Sequence, residues 1–468
     1  MTTEKDSTVK TPAAAVSETS DGNPLMDFTG KMSFLRGLPY GLQHVLAMFV
    51  ANLAPIFIVT SAGKMPAAVS DSIVQAALLM AGLGTLLQLF PLWRFGARLP
   101  IVTGISFTYV AAIVGIISTR GYESAVGAII VGGLFEALLG LTARFWKRLV
   151  PPIISALVVT SIGFSLLSVS ASSFGGGNGA KDFGSWKHLL VATVTLLACL
   201  ISQVFFRGFA KQLSILFGLV VGYVLALCMG MVDLSGFSHI GIVSAPKFLP
   251  FKPEFDWGAI ISIALLYLVS AVEVTGDTAA LARVGMNREV TDLETAGSIA
   301  GDGLISAISG LFGALPLTSF AQNIGLIRMT KVVNRKVIAS GGLILILAAF
   351  VPAVATAFNS IPQAVMGGCT IMMFGSIILA GFQMISEAGF SERNILIASV
   401  SLTVGVGFTQ VPTLLAHTPA LFQQVFASNA IAGVFVIAFI MNLVLPRDEK
   451  FYKINLSVDK KDHADEEK

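Results

Sequence analysis

Four carboxylic acids lie inside long apolar stretches of the chain, where an ionisable side chain is costly and commonly marks a functional site. They are Glu136, Glu273, Asp277 and Asp302. Glu273 and Asp277 are four residues apart, so a helix places them on one face, where two negative charges repel unless one group holds a proton. A carrier driven by a proton gradient needs such a group.

Two neighbouring amides form a second polar group, in the stretch AQNIGLIRMT at residues 321–330. Gln322 and Asn323 each offer N–H donors and a carbonyl acceptor to a ligand. The competing interpretation is that these amides only link helices, and each such hydrogen bond contributes about 0.6 kcal/mol.

Composition indicates where these polar residues must lie. Of the 468 residues, 54% are hydrophobic and only 12% are charged, and the mean hydropathy is +0.81. Apolar stretches of about 20 residues, the length of a membrane-spanning helix, recur along the chain, whereas a membrane β-barrel shows short alternating segments. The sequence therefore predicts an all-α polytopic membrane protein.

About fourteen transmembrane segments are predicted from these stretches. They cover residues 37–61, 71–93, 99–118, 121–143, 149–170, 187–206, 212–233, 258–283, 294–314, 316–333, 335–358, 362–384, 392–409 and 427–446. Lys and Arg are more numerous in the loops on the N-terminal side of the membrane, which predicts that both termini are cytoplasmic. The polar ends, residues 1–35 and 447–468, are predicted to be cytoplasmic tails, the first of them disordered.

Two pairs of related stretches indicate an internal repeat. LPIVTGISF at Leu99–Phe107 opens the third predicted span, and LPLTSFAQN at Leu315–Asn323 opens the tenth. VPPIISALVV opens the fifth span and IPQAVMGG the twelfth. Seven spans separate the members of each pair. Because seven is odd, the second copy enters the membrane from the opposite side, and the halves form a 7+7 inverted repeat. Such repeats are characteristic of secondary transporters, whose sites lie between broken helices, here the third and tenth spans with short extended segments.

Several functional classes are disfavoured by missing motifs. The sequence has no P-loop, no His-Glu-x-x-His pattern and no Cys pair with metal-ligand spacing, so we expect no enzymatic activity, no cofactor, no metal and no nucleic-acid partner. A channel is the stronger alternative, because polar groups at broken helices also form selectivity filters. An anion carrier of the same architecture would use helix N-termini, without an acid in the position of Glu273.

Four stretches in register resemble the nucleobase-ascorbate transporter family, also called nucleobase-cation symporter family 2, and within it the bacterial-type xanthine and uric acid permeases. The resemblance covers residues 35 to 446. The stretches are GLQHVLAMF with Gln43 and His44, the segment Glu273–Gly276–Asp277, GDG at residues 301–303, and QNIGLIRMTK at residues 322–331. The last matches the family signature of Gln-Asn-x-Gly, four variable residues, Thr and a basic residue.

The resemblance implies a division into two domains. A core domain comprises residues 36–145 and 258–359 (spans 1–4 and 8–11), and a gate domain comprises residues 146–235 and 360–446 (spans 5–7 and 12–14). Residues 236–257 form an extracellular loop. Members of the family are usually homodimers that work by an elevator-type movement of the core domain.

The resemblance also implies a substrate site. Glu273 and Gln322 correspond to the residues that bind the nucleobase through hydrogen bonds. Backbone groups matching Phe107 and Ala321 complete the site, and the Phe107 ring stacks on the base. The supporting residues for binding, gating or proton coupling are His44, Asp277, Asp302 and Asn323, and the small side chain of Ser106 leaves room beside Phe107.

The implied function is proton-coupled import of a purine nucleobase across the cell membrane. A purine-2,6-dione presents alternating N–H donors and C=O acceptors, which an amide and a carboxylate can both bind. Uracil carriers of the family usually have Glu at the position of Gln322, so xanthine is the first candidate, followed by uric acid. Uracil or another nucleobase is the alternative, and sodium coupling stays open.

Overall fold

The computed structural model describes residues 23–146, 150–177, 179–239, 241–427 and 429–446, and these are mostly helical. The first half contains α1 (Phe34–Ala62), α2 (Ala67–Leu89), α3 (Val110–Arg120), α4 (Tyr122–Leu141), α5 (Ala143–Trp146), α6 (Pro152–Ser165), α7 (Leu167–Phe174), α8 (Trp186–Phe205), α9 (Phe209–Gln212) and α10 (Ser214–Cys228). The second half contains α11 (Trp257–Met286), α12 (Asp292–Leu311), α13 (Ala321–Thr330), α14 (Arg335–Ala349), α15 (Pro352–Asn359), α16 (Gln363–Ala388), α17 (Glu392–Gln410), α18 (Ala420–Phe426) and α19 (Ala430–Val444). Two strands complete the fold, β1 (Thr103–Ile105) and β2 (Leu317–Ser319).

Seven helical segments within the described residues are long and apolar enough to cross a membrane, namely α1, α2, α4, α6 with α7, α8, α11 and α16. The other predicted spans coincide with helices that are shorter, interrupted or less apolar, so the exact count of fourteen stays a prediction.

The eleventh predicted span, residues 335–358, consists of two helices, α14 and α15, which are bent by 81° relative to each other. Pro352 is the first residue of α15. Because proline has no N–H and its ring clashes with the carbonyl four residues earlier, Pro352 favours a break or a bend of the helix at this position.

The two helices that carry three of the four acids have well-defined starts. Asp256 caps α11, its carboxylate accepting a hydrogen bond from the Ala259 N–H at 2.8 Å. α12 begins with a capping box, in which Thr291 and Glu294 each accept a hydrogen bond from the other's backbone N–H. These caps satisfy N–H groups that a helix start leaves free.

Glycine residues bring α4 and α12 into direct backbone contact. A Cβ atom on Gly303 would lie 2.7 Å from the Gly133 carbonyl oxygen and close to the Ala137 N–H. Further along the same interface, Gly140 packs on Ala300. Protein interiors are close-packed, so these positions have no room for a side chain.

The helices pack in two groups. One contains α1, α2, α4, α11, α12 and α14, and the other contains α6, α8, α10, α16, α17 and α19, with α11 and α1 making most of the contacts between them. The division into a core and a gate domain, with its boundaries, stays a prediction.

The segment before α1 is held against the start of α14. The Asn334 side chain donates hydrogen bonds to the carbonyl oxygens of Pro24, Asp27 and Gly30 at 2.8–3.1 Å. The N–H of Val333 donates to the Leu25 carbonyl at 2.9 Å. Part of the first predicted tail thus has ordered contacts, whereas residues 1–22 and the second tail, 447–468, lie outside the described residues.

Candidate functional site

Two strands from the two halves of the chain meet at the centre of the site. β1 pairs with β2 in antiparallel register, with Gly104 opposite Thr318. One hydrogen bond extends the ribbon at each end, from the Ser106 N–H to the Pro316 carbonyl (3.0 Å) and from the Phe320 N–H to the Val102 carbonyl (2.9 Å). The two strands run in opposite directions and a helix follows each of them, so α3 and α13 start at opposite ends of this ribbon.

Glu273 lies on α11 facing the start of α3. The Thr108 hydroxyl donates a hydrogen bond to its Oε2 at 3.0 Å. The side chain is only partly buried, so acceptor capacity on the carboxylate is free for a ligand. A single neutral donor orients the carboxylate without neutralising it, which leaves a hydrogen-bond acceptor for N–H groups.

Asp277 and Asp302 are connected through Ser319 of β2. The Ser319 hydroxyl donates to Asp277 Oδ2 at 2.8 Å, and its N–H donates to Asp302 Oδ2 at 3.1 Å. Asp302 is fully buried and also accepts from Gln88 Nε2 at 2.7 Å. One residue of the ribbon therefore connects the two aspartates from different helices.

The signature residues begin α13 beside this pair of aspartates. Ala321 is exposed and Gln322 is half-buried, so the first turn of the helix is open to a ligand. Asn323 is buried, and neither its amide oxygen nor its amide nitrogen has a hydrogen-bond partner among the described residues. Asn323 lines a small cavity with Asp277 and Ser319, and an unpaired amide there can hold a water or a ligand atom.

The aromatic part of the site comes from the start of α3. Phe107 is buried, and its ring packs edge-on against Phe374 of α16, with 5.4 Å between ring centroids. Ser106 caps the turn before α3, its hydroxyl accepting from the Thr108 N–H at 3.2 Å. The two side chains thus lie where the first group of helices meets the second.

His44 is buried on α1, and its Nδ1 has no hydrogen-bond partner within the part of the chain that the structure describes. The structure thus brings Glu273, Asp277, Asp302 and the ribbon together but does not connect His44 to them by a hydrogen bond.

The electrostatics of the site are dominated by acids. Glu273, Asp277 and Asp302 influence one another electrostatically, and no ion pair joins any of them to a base in the described ranges. Buried carboxylates without a counter-ion are costly, so protonation or a ligand with N–H donors lowers the free energy of this arrangement. The geometry suits binding of a polar, uncharged molecule together with a cation such as a proton.

Sequence reasoning missed three residues that position the acids: Thr108, Ser319 and Gln88. Gln88 orients Asp302, because its amide oxygen is fixed by the Ala97 N–H at 2.9 Å while its nitrogen donates to the carboxylate. A polar amide within the apolar helix α2 was the available signal for Gln88. Thr108 follows the predicted site residue Phe107, and Ser319 lies in β2. Hydroxyl residues are common in such segments, so neither of the two stood out in the sequence.

A family model described as "Permease family" matches residues 36–414 of the chain. Among curated proteins, the chain is 33% identical to the "Xanthine permease" of Bacillus subtilis over 431 residues, which is 91% of this chain and 97% of that protein. It is 35% identical to "Uric acid permease PucK" of the same organism over 398 residues, covering 84% of this chain and 92% of that protein. Both relatives are named as permeases, which agrees with the prediction that the chain is not an enzyme.

Among solved structures, the fold is similar to "the transmembrane domain of a cyanobacterium bicarbonate transporter BicA". The TM-score is 0.58 at 15% sequence identity, and the match covers 89% of this chain and all of that domain. The fold and the apolar helices confirm the prediction of an all-α multi-pass membrane protein. With the family model covering most of its length, the chain belongs to this permease family, the nucleobase-ascorbate transporter family that its motifs resemble.

Proposed function

We propose that the protein is a secondary active transporter that imports a purine nucleobase, xanthine first and uric acid second, by proton symport. The observation that carries this proposal is the Glu273 carboxylate, oriented by Thr108 and partly open between the starts of α3 and α13. The names of the curated relatives, a xanthine permease and a uric acid permease, support the choice of substrate.

In the proposed complex, Glu273 accepts ring N–H groups of the base, and Gln322 donates to a carbonyl and accepts from an N–H. The Phe107 ring stacks on the base beside Ser106. Backbone groups at Phe107 and Ala321 provide the remaining hydrogen bonds.

Proton coupling is assigned to the acids behind the base. Asp302 and Asp277 share Ser319, so a change in the protonation of either one is transmitted to β2 and to the start of α13. Asn323 lies in the same cavity and supports binding. His44 is assigned a supporting role in gating.

The wider arrangement follows from the same proposal. The 7+7 inverted repeat allows the substrate site to open to either side of the membrane in turn. β1 and β2, one from each half of the chain, run antiparallel, as corresponding strands of an inverted repeat must. Movement of a core domain against a gate domain carries the base across the membrane in an elevator-type mechanism. We place the protein in the cell membrane as a homodimer of fourteen-span subunits with both termini in the cytoplasm.

The test is uptake of radiolabelled xanthine by cells that lack their own purine carriers, with unlabelled xanthine, uric acid, hypoxanthine, guanine, uracil and bicarbonate as competitors. We expect saturable uptake that xanthine and uric acid block and that a protonophore abolishes. Uptake that does not saturate would indicate a channel, and competition by bicarbonate without any by nucleobases would indicate an anion carrier. Either result would overturn the proposal.

Replacing Gln322 by Glu tests direct contact between α13 and the base. The substitution puts an acceptor where the amide N–H donates, so the carbonyl of the base loses its donor. We expect the uptake of xanthine at low concentration to fall by about 10-fold, the effect of losing one buried hydrogen bond, and competition by uracil to increase. Competition assays on the variant measure both effects, and unchanged selectivity would show that Gln322 does not contact the base.

A further inference from the structure

Glu136 of α4 is a buried acid that the proposed substrate site does not use. Its side chain has no exposed surface, and neither carboxyl oxygen has a hydrogen-bond partner among the residues described. A buried polar group without a partner costs about 1–3 kcal/mol, and an ionised one costs more. A residue that is costly for folding and lies within the membrane is a candidate for a functional role.

Two further unpaired hydroxyls lie beside Glu136. The Ser270 side chain of α11 lies next to both the Glu136 carboxyl and the Tyr109 hydroxyl. Ser270 Oγ and Tyr109 OH are both buried, and within the described residues neither has a hydrogen-bond partner. Glu136, Tyr109 and Ser270 thus form one group, called here the polar cluster, in which several hydrogen-bonding atoms are unsatisfied in one place.

The polar cluster is connected to the substrate site along the backbone and across the helices. Tyr109 directly follows Thr108, whose hydroxyl binds Glu273. On the other side, Gly303 packs on the backbone of Glu136 and directly follows Asp302 in α12. The cluster is therefore adjacent, through the backbone, to the residue that binds Glu273 and to Asp302.

The titratable groups that face Glu136 are acids and phenols. They are Asp302 of α12, Glu273 and Tyr267 of α11, and Tyr109 before α3. Tyr267 packs against Tyr109 with 4.7 Å between ring centroids. None of the ion pairs in the described part of the chain involves Glu136, so its negative charge would be opposed by Asp302 and Glu273.

We propose that Glu136 is a second proton-binding site, which holds the coupled proton while Glu273 is ionised to receive the base. The proposal rests on the proton symport proposed above. In the transfer, the Glu136 carboxylic acid loses its proton and the Glu273 carboxylate gains one, so the total charge of the acids is unchanged. The Tyr109 and Ser270 hydroxyls pass the proton by donating their own to one neighbour and accepting another, and they end as hydroxyls.

The physical reason for such an exchange is mutual repulsion. Two carboxylates that interact strongly do not readily ionise together, and the proton is shared by the group as a whole. Binding of a base with N–H donors favours the ionised form of Glu273, and Glu136, whose two carboxyl oxygens have no partner among the described residues, can take up the displaced proton. When the base leaves, Glu273 recovers the proton and releases it to the cytoplasm, and a new proton is taken up from outside before the next base binds.

The test uses purified full-length protein in lipid vesicles that contain a pH-sensitive dye, with radiolabelled xanthine outside. In the wild type we expect protons and xanthine to enter together. In Glu136→Gln, whose amide replaces a neutral carboxyl at nearly the same size, we expect xanthine exchange to persist while the ratio of protons to xanthine falls by about 10-fold or more. An unchanged ratio in a variant that transports xanthine would overturn the proposal.

Two further variants separate proton transfer from folding. Tyr109→Phe removes only the hydroxyl, and we expect slower proton entry with xanthine exchange retained. Ser401→Ala is the matched control, because Ser401 of α17 is equally buried and unpaired but lies outside the polar cluster. Proton entry in Tyr109→Phe equal to that in Ser401→Ala would count against the cluster, even if Glu136→Gln does not fold.

Infrared spectroscopy provides a readout that is independent of transport. We expect a protonated-carboxyl band in the wild type, which changes when xanthine is added and is missing in Glu136→Gln. Identical spectra of the two proteins would contradict the proposal. If wild-type vesicles take up xanthine without protons, the proton symport of the proposed function fails. If the wild type and Glu136→Gln both take up protons together with xanthine, the proton symport stands and only the role of Glu136 fails.

Discussion

Glu273→Gln is expected to abolish nucleobase uptake while the protein still reaches the membrane. The amide is nearly the same size as the carboxyl, so α11 and its contact with Thr108 are preserved. It replaces one acceptor oxygen by a donor, which then faces the N–H groups of the base. Losing a charge-assisted hydrogen bond and leaving a donor unpaired lowers the uptake rate at low xanthine concentration by about 100-fold.

The measurement is initial uptake of radiolabelled xanthine, normalised to the amount of protein in the membrane. Glu387→Gln is the control, since Glu387 is an exposed acid near the end of α16 whose charge acts on Arg283 of α11. We expect the control to transport like the wild type. Uptake by Glu273→Gln above about a tenth of the wild-type rate, at equal membrane levels, would show that Glu273 does not bind the substrate.

The second large effect is expected from Gly303→Ala, which adds a single methyl group. That methyl would meet the backbone of α4 at Gly133, Glu136 and Ala137, and backbone atoms cannot move aside as a flexible side chain can. The two helices must separate, at a cost of about 3 kcal/mol or more. We expect little folded protein in the membrane and a lower midpoint temperature of unfolding for the fraction that is recovered.

Gly407→Ala is the matched control for this change. Gly407 lies within α17, and a Cβ atom there has no neighbour within 4 Å. Alanine also favours helix more than glycine does, so the control should be as stable as the wild type or slightly more stable. Equal membrane levels and unfolding temperatures for the two variants would mean that α4 and α12 are not in backbone contact.

The fold class was predictable because membrane proteins obey simple constraints on length and polarity. The spacing of Glu273 and Asp277 predicted that both lie on one face of a helix, and both are on α11 in the structure. The GDG stretch at residues 301–303 is one of the four that carry the family resemblance, and its Gly303 packs on α4. These predictions depend on local spacing, which is why a single sequence was sufficient.

The network around the acids was not predictable in the same way. The bonds from Gln88 to Asp302 and from Thr108 to Glu273 join residues that are more than a hundred positions apart in the chain. Local patterns contain no information on which of many buried hydroxyls and amides will meet an acid. The bend between α14 and α15 had a local signal in Pro352, but proline occurs also inside α1, at Pro39 and Pro55, where the helix continues.

The pairing of β1 with β2 has a consequence for biosynthesis. β1 pairs with Leu317–Ser319, which the ribosome adds more than two hundred residues later, although the N–H groups of Thr103 and Ile105 donate to Thr85 Oγ1 and Asn52 Oδ1 within the first half. Within a membrane, a strand without a partner has no water to replace the missing hydrogen bonds. The first half of the site must therefore wait, shielded by neighbouring helices or by the insertion machinery, until α12 has entered the bilayer and delivers β2. The substrate site thus cannot form until β2 has been synthesised, and the helices α13 to α19 follow it in the chain.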